Sequence, residues 1–372
     1  MSSSLLYLFG LAVVAFGQPF VDVLSLSSAD ADTYRQQLVS MVNSNPNSTW
    51  SAVYPPVQRF HGKPYSVLAS LAGVLGGDPS ENAAALPVRK LADFTTAFGT
   101  QDIPASFDAQ TAWPQCPIIA EIRDQSACGS CYAVSAASAA TDRFCIHHNG
   151  TISERLSEVD LMSCCFKCKG SNGGCYGGTP SHCWDYMSQQ GIASGGKYLD
   201  NSMCLAYPFP PCDHHIFGTY GACSATTYNS PTCFWACDSN SSSKVSYDKD
   251  QASHLFATSY KVDANVEAIQ RDILAHGPSS ASMFLVPSFE VYRSGVYTTT
   301  DQQYIGAHAV KIMGWGIDSG LHYWVIANSW NAEWGEAGRF RIERGKNVLG
   351  IESGVVGGSV VGFPSAPESI VV

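Results

Sequence analysis

The fold is decided by the stretch Gln125-Ser126-Ala127-Cys128-Gly129-Ser130-Cys131-Tyr132. Two cysteines with two residues between them can be disulfide partners, metal ligands or a redox couple, so this spacing alone leaves all three open. The residues that follow, 132–140, are small and compatible with a helix, which predicts that Cys131 begins a buried helix. Unpaired N–H groups and the helix dipole stabilise a thiolate at such an N-terminus. Cys131 is therefore a candidate nucleophile, and Gln125 offers a side-chain donor for a developing oxyanion.

A base for this thiol is predicted in the C-terminal half. His308 lies in the apolar run 306–310 and can take the proton from Cys131 and return it to a leaving amine. Asn328 can hold the imidazole through one ring nitrogen, while Trp330 screens that hydrogen bond from water. These residues are far apart in sequence, so only the fold can bring them together.

These motifs resemble those of the papain family of cysteine proteases, and within it cathepsin B, from Ile103-Pro104-Ala105-Ser106-Phe107-Asp108 to Gly350-Ile351-Glu352-Ser353 and beyond. The resemblance implies an α+β fold with a helical left domain, a β-barrel right domain and the active-site cleft between them. It also implies that Gln125 is the oxyanion donor, Cys131 the nucleophile, His308 the base and Asn328 its orienter. Tyr132 departs from the family, which usually has Trp after the nucleophile, and we expect a modest effect.

Local sequence patterns agree with a helical domain that is followed by a β-rich domain. A helix is predicted over 154–162, and short β-like runs separated by glycine turns predict strands at Ser280–Leu285, Ala309–Met313, Tyr323–Ala327 and Arg339–Ile342.

Composition and the N-terminus restrict the class of protein. The chain has 372 residues and a net charge of -10, which argues against a nucleic-acid partner. Residues 1–17 carry an apolar run that is short for a membrane span and is interpreted as a signal peptide, with a signal anchor as the alternative. We expect a monomeric protein of the secretory pathway without a membrane span, in a lysosome-like acidic compartment or outside the cell.

Residues 18–102 contain no cysteine and are interpreted as an inhibitory propeptide. Thr33–Val39 predicts a short amphipathic helix, and Asn47–Ala52 resembles the Thr-Trp-x-Ala element of cathepsin B propeptides. A flexible linker without inhibitory function is the alternative. The expected partners are therefore peptide or protein substrates and the chain's own propeptide.

All 14 cysteines lie in residues 103–372, the predicted mature peptidase domain. Such density behind a signal peptide indicates an oxidising compartment and a disulfide framework. The resemblance implies six disulfides that spare Cys131 and Cys183, the second as a buried thiol, so neither a metal nor another cofactor is expected. The implied pairs are Cys116–Cys145, Cys128–Cys175, Cys164–Cys233, Cys165–Cys168, Cys204–Cys237 and Cys212–Cys223.

Trp330 and three glycines are predicted to bind substrate. Gly177 and Gly178, in the family's Cys-x-Gly-Gly element, offer a bare backbone edge to an extended peptide, although they could simply form a turn. Gly354 stands where cathepsin B often has Glu, so we expect an apolar side chain to be preferred at the second residue before the scissile bond.

An insertion at about 204–237 resembles the occluding loop of cathepsin B. Its adjacent histidines, His214 and His215, are predicted to bind the C-terminal carboxylate of a substrate, which implies release of C-terminal dipeptides; a solvated loop is the alternative. Asp124 matches the acid that holds the first histidine. The family's second tether pairs Arg with Asp, whereas Tyr220 and Glu333 stand at those positions here. We therefore expect the insertion to open more readily and endopeptidase activity to be greater.

Three functions are compatible with these features. The first is an active cysteine endopeptidase and peptidyl-dipeptidase made as a zymogen, and the second is a catalytically silent papain-like binding or regulatory protein. The third, a disulfide oxidoreductase at Cys128 and Cys131, leaves His308 and Asn328 unexplained. Retention of all four catalytic groups favours the first. Sequons begin at Asn47, Asn149 and Asn240, and the last two are expected at the surface.

Overall fold

The computed structural model of the chain describes residues 22–54, 63–81, 86–98, 102–214, 218–299 and 301–362. The predicted signal peptide lies outside these ranges. The helices are α1 Ser28–Ser44, α2 Tyr65–Leu71, α3 Leu91–Phe98, α4 Ala109–Ala112, α5 Cys131–His147, α6 Glu158–Ser163, α7 Pro180–Gln189, α8 Tyr247–Ser253, α9 Val266–His276 and α10 Pro287–Glu290. The strands are β1 Trp50–Ala52, β2 Val88–Arg89, β3 Phe107–Asp108, β4 Gly195–Gly196, β5 Leu205–Ala206, β6 Tyr260–Val262, β7 Ser279–Leu285, β8 Tyr292–Tyr297, β9 Gly306–Asp318, β10 Leu321–Ala327, β11 Arg339–Glu343 and β12 Gly354–Gly357.

The central helix α5 begins at Cys131, as the sequence predicts, and every residue from Cys131 to Cys145 is buried. A helix that is covered on all sides shows no apolar stripe, which explains its run of small residues. It packs against β9 and β7 of the sheet on one side and against α6 and α7 on the other. The helix that carries the predicted nucleophile is therefore the joint between a helical half and a sheet half.

The sheet has ten strands in the order β1-β8-β11-β10-β9-β7-β12-β6-β2, with β3 paired to β9. Within the described residues, no pairing joins β1 to β2, so the sheet is open and the predicted β-barrel is wrong in that respect. The runs that predict strands indicate their existence but do not fix their order or closure. Both outermost strands, β1 and β2, belong to the N-terminal segment, by which we mean the described residues within 22–98.

The four predicted strands are confirmed as parts of β7, β9, β10 and β11. The predicted helix at 154–162 is shorter and begins only at Glu158, because the Ser157 hydroxyl accepts hydrogen bonds from the N–H groups of Val159 and Asp160 and caps the helix there. Leu156 instead forms a bridge with Ser194. The predicted helix at Thr33–Val39 lies within the longer helix α1.

Two features of the described surface bear on earlier expectations. The side chains of Asn47, Asn149 and Asn240 are all exposed, which agrees with the surface positions expected for the last two. None of the helices found in the described ranges has the length and apolar character needed to cross a membrane.

Two buried ion pairs connect α5 to the sheet half. Lys311 in β9 donates to Asp142 across 2.6 Å, and the guanidinium of Arg143 donates to Asp272 in α9, also across 2.6 Å. All four side chains are buried. Arg143 donates further hydrogen bonds to the carbonyl oxygens of Pro278 and Gly358 and to the hydroxyls of Tyr260 and Ser279. These contacts satisfy the buried charges and fix α5 against four elements of the sheet half, β6, β7, β9 and α9.

We expect Arg143→Ala to lower the free energy of unfolding by about 3–5 kcal/mol, because it leaves Asp272 as a buried charge without its cation. Arg293→Ala removes an exposed arginine of β8, whose guanidinium makes one long hydrogen bond of 3.4 Å to the Gly335 carbonyl, and should cost less than about 1 kcal/mol. Denaturant unfolding of both variants measures the difference, and equal losses would contradict this role for Arg143.

Candidate active site

Cys131 and Gln125 lie on the wall of the site that the helical half forms, and both are fully buried. The Gln125 side-chain oxygen accepts from the Ser329 hydroxyl at 2.6 Å, which orients the amide nitrogen towards Cys128 and away from the sheet. That nitrogen donates to the carbonyl oxygens of Cys128 at 2.8 Å and of Leu71 at 3.0 Å. The Gln125 amide therefore already donates to a carbonyl of the N-terminal segment.

The right wall carries His308 in β9 and Asn328 just after β10. Nε2 of His308 lies 2.8 Å from Oδ1 of Asn328, and the Trp330 ring lies 5.2 Å from the imidazole, centre to centre. Trp330 is completely buried and packs beside this hydrogen bond. Strand β9 lies beside the Cys131 sulfur, because the Gly73 N–H donates to the sulfur and the next N–H, of Val74, donates to the Ala307 carbonyl. The fold thus brings the four sequence-predicted residues into one site.

The cysteines form the six disulfides that the family resemblance implies, and Cys131 and Cys183 remain as buried thiols. Because Cys128 is bonded to Cys175, it is not a redox partner of Cys131. The same disulfide holds Gly129 beside Tyr176, which positions the Gly177-Gly178 edge next to the site. Cys212, His214 and Cys223 also lie close together, but the two sulfurs are bonded to each other and offer no thiolate to a metal.

The insertion at about 204–237 is held at His214. Nε2 of His214 lies 2.7 Å from Oδ1 of Asp124, and the other carboxylate oxygen of Asp124 accepts from the Cys212 N–H at 2.9 Å. The His214 ring stacks on Trp330 at 6.1 Å with an interplanar angle of 10°. One indole therefore packs against both His308 and His214, while His215 lies outside the described residues.

The second tether of the insertion is present in another form. Glu333 accepts from the Thr219 N–H at 2.9 Å and from the Thr219 hydroxyl at 2.7 Å, while Tyr220 is 54% exposed. Glu333 therefore has a partner on the insertion although Tyr220 stands at the position of the family's arginine. A comparison of sequences at position 220 alone could not reveal that Thr219, one residue earlier, supplies a neutral donor to Glu333.

Gly354 lies in β12, where an added Cβ would lie 2.8 Å from the Ser282 carbonyl oxygen. A Cβ at Gly354 would lie 3.1 Å from Cβ of Pro79, and one at Gly350 would lie 3.5 Å from the Phe284 ring. Pro79 belongs to the N-terminal segment and covers the position where the sequence predicts a specificity pocket. No charged side chain is among the nearest neighbours of Gly354.

The comparison with known families decides the class of this protein: the model of the papain family of cysteine proteases matches residues 103–359. The chain belongs to the papain family of cysteine proteases. It is 39% identical over 324 residues to a cathepsin B-like cysteine proteinase of Schistosoma japonicum, covering 87% of this chain and 90% of that protein. A cathepsin B-like cysteine proteinase of Caenorhabditis elegans is 46% identical over 257 residues, covering 69% of this chain and 75% of the relative.

Solved structures give the same result. A procathepsin B of Trypanosoma congolense aligns with a TM-score of 0.70 at 31% identity, covering 87% of this chain and 97% of that one. A procathepsin L of Tenebrio molitor, with a TM-score of 0.62 at 19% identity, shares the fold. The protein is a cathepsin B-like cysteine protease, and its structural neighbours include proteases with the propeptide still attached.

In this protease the N-terminal segment lies directly over Cys131. The Gly73 N–H donates to the Cys131 sulfur at 3.2 Å. The next residues add backbone hydrogen bonds on both walls, from Val74 to the Ala307 carbonyl at 3.1 Å and from Leu75 to the Gly178 carbonyl at 2.9 Å. Gly178 in turn donates to the Gly73 carbonyl at 2.9 Å. The edge that the sequence assigns to substrate is therefore occupied by the chain itself.

The close approach of the segment requires glycine at position 73. A Cβ there would lie 1.9 Å from the carbonyl oxygen of Gly129, two residues before Cys131. Gly178 meets a similar restriction, since a Cβ there would lie 2.3 Å from the Tyr132 ring. Tyr132, which replaces the family's usual Trp, thus forms the floor beneath this edge.

The segment is anchored away from the cleft by a buried arginine that sequence reasoning missed. Arg35 in α1 donates to Glu290 in α10 at 2.9 Å and packs over the Tyr65 ring at 4.3 Å. Burial opposes the charge on Arg35, but the Glu290 carboxylate together with Tyr65 and Tyr54 outweighs this effect and raises the pKa of the guanidinium. Trp50 adds a second anchor by packing on Tyr297 at 4.8 Å. The 255-residue separation of Arg35 and Glu290 gives no local sequence signal.

Burial under the segment also changes the thiol. It raises the pKa of Cys131 to about 11, although the N–H groups of Ala309, Gly73, Tyr132 and Cys131 itself oppose the rise. At neutral pH the covered Cys131 is therefore a protonated thiol, which is a weak nucleophile. Both the steric cover and the protonation of the thiol therefore oppose nucleophilic attack by Cys131.

We expect Gly73→Ala to weaken this cover by about 1–3 kcal/mol, because the added methyl group overlaps backbone atoms that cannot move aside. In the full-length chain, alkylation of Cys131 by iodoacetamide at pH 7 should then be roughly 10- to 100-fold faster than in the wild type. Peptide mapping by mass spectrometry measures this rate, and Ser66→Ala, at an exposed position of α2, is the matched control. An unchanged rate at Cys131 would show that Gly73 does not control access to the thiol.

Proposed function

We propose that the chain is the zymogen of a peptidase that hydrolyses peptide bonds through Cys131, His308 and Asn328. The observation that carries this proposal is the 2.8 Å hydrogen bond between His308 and Asn328, with His308 in the strand that packs against the helix beginning at Cys131. A catalytically silent relative would be expected to lack one of these groups. Residues 18–102 would be the inhibitory propeptide and 103–372 the mature domain.

The reaction follows from the roles of these atoms. His308 uses Nε2 for Asn328 and accepts the thiol proton at Nδ1, so the sulfur of Cys131 can attack the scissile carbonyl carbon. The Gln125 amide and the Cys131 N–H then donate to the oxyanion. The C–N bond breaks as the imidazolium returns its proton to the amine, which leaves a thioester. A water molecule that loses a proton to His308 hydrolyses this thioester, which restores the thiol and releases the new carboxylic acid.

The insertion at about 204–237 supports an additional activity, the release of C-terminal dipeptides. His214 is held by Asp124 and stacked on Trp330, which packs beside the catalytic hydrogen bond, so a cation at His214 would lie near one end of the cleft. Such a cation can bind a substrate carboxylate. The two hydrogen bonds from Thr219 to Glu333 oppose opening, but they involve neutral donors. We therefore infer mixed exopeptidase and endopeptidase activity.

The setting that fits this function is the secretory pathway. Six disulfides form and persist in an oxidising compartment, which supports the interior of an acidic vesicle or the cell exterior as the site of action. The proposed enzyme acts as a monomer, and the chemistry at Cys131 and His308 requires no metal or other cofactor.

The activity is tested by mapping the products of the processed enzyme on unstructured peptides. Cys131→Ala should abolish turnover, whereas Cys183→Ala, which removes the other buried thiol, should retain it. His214→Ala should reduce dipeptide release at least tenfold while internal cleavage persists, because only the former needs a carboxylate anchor. Turnover that survives Cys131→Ala would refute the peptidase assignment, and equal losses of both product types in His214→Ala would refute the role of the insertion.

Side-chain preference at the pocket beside Gly354 provides a separate prediction. Without a carboxylate there, reporter peptides with Phe or Leu at the second residue before the scissile bond should be cleaved faster than those with Arg. Gly354→Glu should reverse the order if the pocket accepts the longer side chain, and Ser353→Glu is the control for added charge alone. Comparable turnover of Arg-Arg and Phe-Arg reporters by the wild type would contradict the prediction.

Acid pH is expected to loosen the last part of the propeptide through His276. Arg89 in β2 lies 2.9 Å from Nε2 of His276 in α9. Burial lowers the pKa of His276 to about 3, helped by Arg143 and Arg89 and opposed by Asp272. The Tyr260 ring, 6.2 Å away, completes this environment.

The sign of the effect follows from this depressed pKa. When residues 86–98 leave α9, the pKa of His276 returns towards 6.5, so the released state binds more protons than the docked state. Docking is therefore strongest above about pH 6.5 and weakens as the pH falls towards 3, by up to about tenfold per pH unit.

This dependence can be measured in the Cys131→Ala chain, in which self-cleavage is absent. An added protease should cut residues 86–102 faster at pH 5 than at pH 7 after correction for its own pH profile. His276→Gln should remove most of this acceleration, whereas His182→Gln, at a half-buried position in α7, should keep it. The same pH dependence in both variants would exclude His276 as the titrating group.

A further inference from the structure

Tyr207, at the start of the insertion, contacts both sides of the predicted oxyanion site. It is only 3% exposed, and its hydroxyl donates to the carbonyl oxygen of Gln125 at 2.7 Å. The same hydroxyl lies 2.9 Å from the hydroxyl of Ser130. Because the single proton of Tyr207 is used for Gln125, Ser130 must be the donor in the second hydrogen bond. A continuous chain of hydrogen bonds therefore runs from Ser130 through Tyr207 to Gln125.

Ser130 occupies the N-cap position of α5 but does not cap it. A serine there normally accepts a hydrogen bond from the N–H of the second or third helical residue. No such bond is made, and the hydroxyl turns to Tyr207 instead. Burial raises the pKa of the Cys131 thiol, and the N–H groups of Cys131 and Tyr132, the first two residues of α5, are among those that oppose the rise. Tyr207 thus keeps the Ser130 hydroxyl away from the N–H groups at the start of α5, which favour the thiolate form of Cys131.

We propose that Tyr207 is a positioning residue for catalysis, which fixes the Gln125 backbone and withholds the Ser130 hydroxyl from the first turn of α5. The Gln125 N–H already donates to the Ser329 carbonyl at 2.9 Å, so Tyr207 supplies the restraint on the opposite side of the same residue. The Gln125 side chain is then aimed by its backbone as well as by Ser329. Tyr207 itself touches neither the substrate nor the reacting atoms.

The surroundings of Tyr207 show why this restraint is stable. The Ser126 hydroxyl donates to the Pro210 carbonyl at 2.6 Å, and the Tyr228 N–H donates to the Ala127 carbonyl at 2.9 Å. The Phe209 ring packs edge-on against Tyr207 and stacks on Tyr228 at 4.7 Å. The base of the insertion is therefore bound to residues 125–130 independently of the contacts at His214 and Glu333. Opening of its outer part would leave Tyr207 in place.

The inference rests on the proposed peptidase function and is tested on the processed enzyme with Tyr207→Phe. This change removes only the hydroxyl. It should lower kcat roughly tenfold, less than the ~10²–10³ for loss of an oxyanion donor itself, and leave KM within about twofold. The loss should be the same for internal cleavage and for dipeptide release. Tyr228→Phe, which removes a hydroxyl from the adjacent ring stack, is the matched control and should retain the wild-type kcat.

A second measurement separates positioning from a general loss of structure. In Tyr207→Phe the released Ser130 hydroxyl can cap the Tyr132 N–H, so the pH profile of Cys131 alkylation should move to higher pH. The double variant Tyr207→Phe, Ser130→Ala should return this profile to its wild-type position, because no hydroxyl remains to compete. An unchanged profile, a change in KM alone, or equal kcat values for Tyr207→Phe and Tyr228→Phe would overturn the inference. A wild-type enzyme without activity would instead refute the peptidase function, and the alkylation profile would still report on Tyr207.

Discussion

The structure depends on the burial of α5 between a helical half and an open sheet. A helix that is covered on every side can carry a charged residue only where a residue of opposite charge lies beside it. In α5, Asp142 pairs with Lys311 and Arg143 pairs with Asp272. These pairs fix the helix in rotation and in position along its axis. Because Cys131 is its first residue and Lys311 follows His308 in β9, the contacts that hold the two halves together also set the sulfur beside the strand that carries the base.

The N-terminal segment is part of the protein core rather than a loose cover. Its apolar side chains enter both main clusters of buried residues, with Tyr65, Leu68 and Phe94 in one and Val74 and Leu86 in the other. The buried Arg35–Glu290 pair and the backbone bonds at Gly73 add specific attachment at opposite ends of the cleft. The contacts that fold this segment onto the rest of the chain therefore also account for inhibition. The segment covers the Cys131 sulfur, and the resulting burial raises the pKa of the thiol, so the thiol stays protonated.

Much of the site could be predicted because its signals are local or are carried by family motifs. The small residues after Cys131 predict a buried helix, and the sequence around His308 and Asn328 predicts strands that end at the cleft. The contacts that could not be predicted join positions far apart in sequence through chemically ordinary groups. Thr219 replaces an expected arginine as the donor to Glu333, and Arg35 meets its carboxylate 255 residues away. Closure of the sheet also depends on strand order, which the alternation of side chains does not encode.

The two ends of the sheet give the N-terminal segment a role besides inhibition. Strand β1 covers β8, and β2 covers β6, so each end of the sheet terminates in a strand of only two or three residues. A chain that has lost these strands presents the backbone N–H and C=O groups of β6 and β8 to solvent, and exposed edges of this kind template pairing with other chains. In the described structure β1 and β2 cover these two edges and so leave neither β8 nor β6 open to strand addition there.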